Sequence, residues 1–164
     1  MPNVRAVPTQ KTPAADTVRV IVSKSKSTLV VENGDDLLFF APVSAGSEHD
    51  PLPIGDWKVT AVSRNPVFHY NPNLFWDADS KQVKATIRPG PNNPVGLVWI
   101  DLSKEHYGLH GTPEPEHVGK THSHGCVRLT NWDAAEVEHR ISEGVQVSFV
   151  DTTSKNLPDV AKKD

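Results

Sequence analysis

The sequence is poor in cysteine: Cys126 is the only one in 164 residues. A single cysteine cannot form a disulfide within the chain, so the class of small disulfide-stabilised folds is excluded. No apolar run approaches the ~20 residues that a transmembrane helix needs, and the first residues lack the apolar segment of a signal peptide. If the protein is exported, we therefore expect that a signal has been removed or that the chain is a fragment.

An excess of positive charge is also missing. The formal net charge is -3 and the isoelectric point is about 6.2, so there is no basic field for nucleic acid, and we expect no nucleic-acid partner. The length points to one domain, and 14 prolines favour short elements joined by turns. We divide the chain into a flexible Pro/Thr-rich tail or linker over residues 1–17, a domain over 18–150 and a polar tail over 151–164, and we expect a monomer.

Most of the domain has the residue pattern of β-strands. Asn33-Gly34 between two apolar segments is a strong hairpin signal. One helix is predicted after Cys126, because Thr130 and Asp133 resemble a capping box, several apolar residues share a face, and Gly144 follows as a stop signal. The sequence therefore predicts a mainly β fold, a sandwich or barrel of mixed strands with one helix. The predicted strands are Val18–Val22, Thr28–Glu32, Leu37–Val43, Trp57–Val62, Val83–Ile87, Leu97–Leu102, Tyr107–His110, the start of SHGCVRL, and Val145–Val150.

Cys126 lies in a segment that also holds four of the eight histidines, His110, His117, His122 and His124. If SHGCVRL begins a strand, His124, Cys126 and Arg128 share one face, while Val127 and Leu129 point into the core. A lone cysteine is most often a small buried core residue. A neighbouring cation such as Arg128 would instead lower the thiol pKa from ~8.5 towards neutral and favour a nucleophile.

The base for such a thiol is most readily found on a neighbouring strand. His124 lies two residues along the same strand, which is far for direct contact, whereas a residue directly opposite on the next strand comes within ~5 Å at Cβ. His110 ends the preceding strand-like segment, so Cys126 with His110 is the favoured pair and His124 supports it. A zinc site formed by His122, His124 and Cys126 is the less favoured alternative, because a second cysteine pair and an H-E-x-x-H helix are both missing. We expect no metal and no cofactor.

The segment LHGTPEPEHVGKTHSHGCVRLTNWDA resembles the signature of the bacterial L,D-transpeptidase catalytic domain, in which an H-G-T histidine precedes an S-H-G-C-x-R block. The resemblance extends to TLVVENGDDLLFFAPVSAG, which is similar to the opening hairpin of that family, and to PLPIGDWKV, in which Leu52 replaces the usual Thr. It covers roughly residues 18–150 and implies a β-sandwich of mixed sheets with one helix after the catalytic cysteine.

The resemblance implies a peptidoglycan cross-linking enzyme of the bacterial cell envelope, in the periplasm or the cell wall. Donor and acceptor would both be stem peptides, and products would be 3-3 type cross-links or stems with an exchanged terminal D-amino acid. The alternatives are L,D-carboxypeptidase activity, with water as acceptor, and attachment of a lipoprotein to peptidoglycan. Carbapenems would acylate the thiol.

The resemblance also assigns roles to residues. Cys126 would be the nucleophile, His110 the general base, and the main-chain carbonyl of Gly111 the group that orients His110. Gly125 and His124 would support an oxyanion hole. Arg128 would hold a substrate carboxylate, and Ser123 would bind substrate or brace the loop. The aromatic-rich segment Asn65–Trp76 is either a surface loop or a lid over the thiol.

Overall fold

The structure is a computed structural model that describes residues 17–47, 50–70, 84–90, 92–119 and 126–151, without the side chains of residues 69 and 70. The two predicted tails lie almost wholly outside these ranges, so their assignment stays a prediction. Within the described residues no helix has the length and apolarity that crossing a membrane requires.

The described residues form one nine-stranded sheet and one two-stranded sheet. Neighbouring strands in the large sheet follow the order β3-β2-β1-β11-β5-β8-β9-β10-β4, and β6 pairs with β7 in the small one. Two neighbouring pairs, β1–β11 and β9–β10, are parallel, so the large sheet is mixed. The strands are β1 Val18–Ser23, β2 Thr28–Asn33, β3 Asp36–Pro42, β4 Ser44–Ala45, β5 Gly55–Arg64, β6 Phe68–Tyr70, β7 Ala85–Ile87, β8 Val98–Leu102, β9 Gly108–His110, β10 Val127–Arg128 and β11 Gln146–Val150.

Strand β5 joins the two halves of the large sheet. Its first residues pair with β11, its later residues pair with β8, and the register with β8 shifts between Val59 and Ala61. Because side chains alternate along each strand, both halves contribute apolar residues to one core. Fully buried members include Val20, Leu29 and Phe149 from one half, and Ile100 and Leu109 from the other. The fold is the predicted mainly β sandwich of mixed strands, with a sheet that nearly closes on itself.

Among the described residues one α-helix, α1, spans Asn131–Arg140 and follows Cys126 as predicted. The Thr130 side chain caps it by accepting a hydrogen bond from the Asp133 N–H at 3.0 Å. Ala134 and Val137 on its inner face are buried. The helix ends at Arg140 and not at Gly144, which adopts a φ of +93° in the turn before β11.

Two short strands were absent from the sequence prediction. Strand β4 has two residues, which is too few for a period to appear in the sequence. Strand β6 lies inside the segment predicted to be irregular and pairs with β7. A single turn of 3-10 helix, Pro115–His117, follows β9.

Candidate active site

Strands β9 and β10 place His110 and Cys126 on the same face of the sheet. They run parallel, with Val127 opposite Leu109 and Arg128 opposite His110. Val127 and Leu129 are fully buried, so the alternation predicted for SHGCVRL is confirmed over its described residues. His110 lies on the adjacent strand, as predicted, but its direct partner is Arg128. Extending the register by one residue sets Gly108 opposite Cys126, so Cys126 and His110 are diagonal neighbours and not direct ones.

The Cys126 thiol is half-buried at the start of β10. Its Sγ donates to the main-chain carbonyl oxygen of His106 at 3.4 Å. His106 holds a φ of +68°, a left-handed conformation that is uncommon for residues other than glycine. The loop between β8 and β9 therefore presents a backbone carbonyl directly to the sulfur.

The His110 ring is buried and held at one nitrogen. Its side chain is 5% exposed, and Nδ1 lies 2.6 Å from the main-chain oxygen of Gly111. Because a carbonyl can only accept, Nδ1 carries the hydrogen in this bond and Nε2 is left with a free lone pair. Main-chain hydrogen bonds fix the strand around it, from Leu129 N–H to the His110 carbonyl at 2.8 Å and from Gly111 N–H to the Val98 carbonyl at 3.2 Å.

Position 111 has room for no side chain. A Cβ at Gly111 would overlap the Asn131 Oδ1 atom, which accepts a hydrogen bond from Leu97 N–H at 3.0 Å. A Cβ at Gly96, where φ is +67°, would overlap the same atom. Asn131 thus packs the start of α1 against the backbone that carries the Gly111 carbonyl. Sequence reasoning missed this residue; its position directly after the Thr130 cap was the only available signal.

Burial keeps the candidate base and the candidate nucleophile neutral near pH 7. Burial lowers the pKa of His110 to about 4; the hydrogen bond that Nδ1 donates to the Gly111 carbonyl opposes this, and the Arg128 charge adds to it. Burial raises the pKa of Cys126 to about 11. A hydrogen bond with the Gly108 backbone and the charge of Arg128 lower this pKa, whereas the charges of Asp101 and Asp50 raise it further. The expectation that Arg128 brings the thiol pKa towards neutral is therefore wrong, because burial outweighs the cation.

The low pKa of His110 gives a testable dependence of stability on pH. The unfolded chain protonates this ring near its ordinary pKa of 6.5, whereas the folded protein protonates it near 4. Between these values the unfolded state binds more protons, so the free energy of unfolding falls as the pH falls from 6.5 to 4. The expected loss is about 3 kcal/mol. Urea unfolding of wild type and of His110→Asn across this window measures it; equal pH slopes for the two proteins would contradict the buried, neutral ring.

Arg128 is paired with His110 across β9 and β10 and follows Cys126 by two residues. Its Nε atom is buried and has no hydrogen-bond partner within the ranges that the structure describes. The guanidinium charge lowers the pKa of both His110 and Cys126. The side chain is thus a cation at the site with unused hydrogen-bonding capacity.

Several predicted site residues lie outside the described residues, namely His122, Ser123, His124 and Gly125. The same holds for residues 71–76 of the predicted lid or loop. Over the described ranges, no group of three or more His, Cys, Asp or Glu side chains is arranged to hold a metal ion. Trp99 is also part of the site, because its ring stacks on His110. Sequence reasoning had assigned this residue only to a strand.

Comparisons with known proteins identify the family. The model of the YkuD family, the L,D-transpeptidase catalytic domain, matches residues 17–148. The L,D-transpeptidase YkuD of Bacillus licheniformis is 30% identical over 143 residues, which cover 87% of this chain and 72% of that protein. The L,D-transpeptidase YbiS of Escherichia coli is 29% identical over 140 residues, which cover 83% of this chain and 45% of that protein.

Solved structures share the fold. L,D-transpeptidase 3 from Mycobacterium tuberculosis, solved in complex with a faropenem-derived adduct, superposes with a TM-score of 0.64 at 18% identity, over 82% of this chain and 60% of that one. This chain therefore spans well under two thirds of several of the proteins that it matches. The family match covers most of the sequence, and this chain belongs to the L,D-transpeptidase catalytic domain family.

Proposed function

We propose that this chain is a cysteine-dependent L,D-transpeptidase that acts on peptidoglycan stem peptides through a thioester on Cys126. The observation that carries the proposal is the hydrogen bond from His110 Nδ1 to the Gly111 carbonyl. It leaves Nε2 free to take a proton, on the strand next to Cys126. The Gly111 carbonyl therefore replaces the side chain that orients the base in other Cys-His enzymes.

In the first half of the reaction a neutral thiol meets a neutral imidazole. His110 Nε2 takes the thiol proton as Sγ of Cys126 attacks the carbonyl between the third and fourth stem residues. The bond to the terminal D-amino acid breaks, and its amine leaves with the proton returned by His110. The raised thiol pKa and the lowered imidazole pKa disfavour a thiolate–imidazolium pair before substrate binds. The proton is therefore transferred to His110 as the sulfur attacks, and not in an earlier step.

In the second half an amine of another stem peptide attacks the thioester. His110 takes a proton from that amine, the new amide forms, and the thiol of Cys126 is regenerated. Backbone N–H groups at Gly125 and Cys126, with His124 nearby, would bind the oxyanion; one such donor typically contributes ~3 kcal/mol in the transition state.

Substrate is held by residues that flank the nucleophile. Arg128 binds a substrate carboxylate, a fork-shaped interaction that suits its unpartnered guanidinium nitrogen. Ser123 binds substrate or braces its loop.

Since peptidoglycan is the substrate, the enzyme would work in the bacterial cell envelope and affect cell shape. A lipoprotein or a free D-amino acid would be an alternative acceptor.

Incubating the purified protein with disaccharide tetrapeptides and acceptor stems is expected to release the terminal D-amino acid and give 3-3 cross-linked dimers. Mass spectrometry of the products measures both. Stem tripeptides serve as the control donor, because they have already lost the terminal residue and cannot acylate the thiol. Tripeptides without dimers would identify an L,D-carboxypeptidase, and unchanged tetrapeptides would overturn the proposal.

A further inference from the structure

An indole ring covers one face of the proposed base. The centroids of the Trp99 and His110 rings are 5.4 Å apart, and the ring planes are inclined by 24°, which is a stacked arrangement. The contact follows from the sheet, because Trp99 of β8 is the direct antiparallel partner of His110 of β9. Side chains of such pairs lie side by side on one face.

The indole is fixed at both ends. Its Nε1 donates a hydrogen bond to Asp101 Oδ1 at 2.5 Å. Asp101 lies two residues after Trp99 on the same strand and therefore on the same face. The ring also fills the space beside Gly108: a Cβ at that position would lie 2.6 Å from Trp99 Cζ2 and 2.8 Å from Cη2. A glycine at 108 is therefore needed for the indole to lie where it does, between Asp101 and His110.

Trp99 is not explained as a core residue. The hydrophobic core and the partly buried residues packed against it include Trp57 but not Trp99, among the residues described. Trp57 packs on Phe149 of the core, with ring centroids 5.1 Å apart. The half-buried Trp99 ring instead packs against the imidazole of His110 and the backbone of Gly108.

The hydrogen bond to Gly111 does not by itself fix the His110 ring. A ring held only at Nδ1 can still tilt about that hydrogen bond, and any tilt changes the direction in which the Nε2 lone pair points. A flat indole against the ring face removes this freedom and keeps water away. Small losses of alignment are costly, since a displacement of ~1 Å can reduce a rate by ~10²-fold.

We propose that Trp99 is a positioning residue for His110, with its indole anchored by Asp101 and accommodated by Gly108, so that Nε2 stays directed at Cys126. This deepens the proposed function and rests on His110 being the base. Trp99 acts through His110 and needs no contact with substrate.

The test compares Trp99→Leu with Trp99→Phe, and uses Trp57→Leu as the matched control. Leu removes the stacked ring, Phe keeps a ring but loses the bond to Asp101, and Trp57 lies outside the site. The expected result is a ~10- to 100-fold lower kcat for Trp99→Leu with little change in KM, a smaller loss for Trp99→Phe, and normal kcat for Trp57→Leu. Equal kcat for Trp99→Leu and wild type would overturn the proposal.

A second readout needs no enzymatic activity. Imidazole ¹⁵N resonances of His110, followed by NMR from pH 3 to 8, report its pKa and which nitrogen carries the hydrogen. In Trp99→Leu the pKa is expected to rise from about 4 towards 6.5, because water reaches the ring while the charge of Arg128 is unchanged. The acid limb of kcat/KM should move by the same amount.

Gly108→Ala gives an independent variant that keeps Trp99 in the sequence. Its Cβ would push the indole off His110, so the same shifts in kcat and in the His110 pKa are expected. A His110 titration that stays at wild-type values in both Trp99→Leu and Gly108→Ala, with both proteins folded by circular dichroism, would refute the positioning role. If the His110 titration moves but no variant, wild type included, transfers peptides, the proposed function fails while the structural role of Trp99 stands.

Discussion

Replacing Cys126 by alanine is expected to abolish covalent adduct formation with imipenem and to lower peptide transfer by at least ~10³-fold. The reason is that both processes need a sulfur nucleophile, and the chain has only this cysteine. Intact-protein mass spectrometry measures the adduct, and the expected result for wild type is a single added imipenem. The folded state should persist, because the thiol is half-buried and outside the apolar core.

The matched variant is Cys126→Ser, which keeps the size and the hydrogen-bonding group at this position. A hydroxyl is a far weaker nucleophile than a thiol, so it should form the adduct much more slowly than wild type. An imipenem adduct on Cys126→Ala would show that another side chain is acylated, and the mechanism above would then be wrong.

Replacing His110 by asparagine is expected to lower the rate of acylation at pH 7 by ~10²- to 10⁴-fold, the usual contribution of a positioned general base. The asparagine amide can still donate to the Gly111 carbonyl, so the local backbone keeps its contact and only the base is lost. Without the base the thiol must ionise by itself, and its pKa is about 11. The residual rate should therefore increase with pH up to that value.

The measurement is the rate of imipenem acylation between pH 5 and 10. Wild type should vary little over this range, because His110 with a pKa of about 4 is already neutral at its lower end. His139→Asn is the control, since this histidine is exposed in the last turn of α1 and its Nδ1 lies near the Glu138 carboxylate and not near a residue of the site. A wild-type rate for His110→Asn at pH 7 would exclude His110 as the base.

Much of the fold is readable from the sequence because it depends on local patterns. Apolar segments separated by turn signals predicted β1 and β2, alternating apolar residues predicted β11, and the Thr130 cap predicted the start of α1. The same alternation placed Val127 inward and Cys126 outward. These features need only the two-residue period of a strand and the unpaired N–H groups at the start of a helix.

Features that depend on contacts between distant segments could not be read in this way. The partner of His110 across β9 and β10 is set by register, and one strand's sequence does not specify it. Trp99 resembles any aromatic strand residue until β8 and β9 pair. The pKa of Cys126 follows mainly from burial, which depends on how the surrounding strands and loops assemble, so reasoning from Arg128 alone predicted the wrong net direction.

The neutral state of Cys126 has a consequence for its chemical durability. Peroxides and other soft oxidants react with the thiolate, which is the first step towards sulfenic and then sulfonic acid. With a pKa of about 11, only a very small fraction of Cys126 is thiolate at neutral pH. The sulfur is therefore protected from adventitious oxidation while no ligand is bound, and under the proposed mechanism it reacts only with electrophiles that reach it with His110 in place to accept the proton.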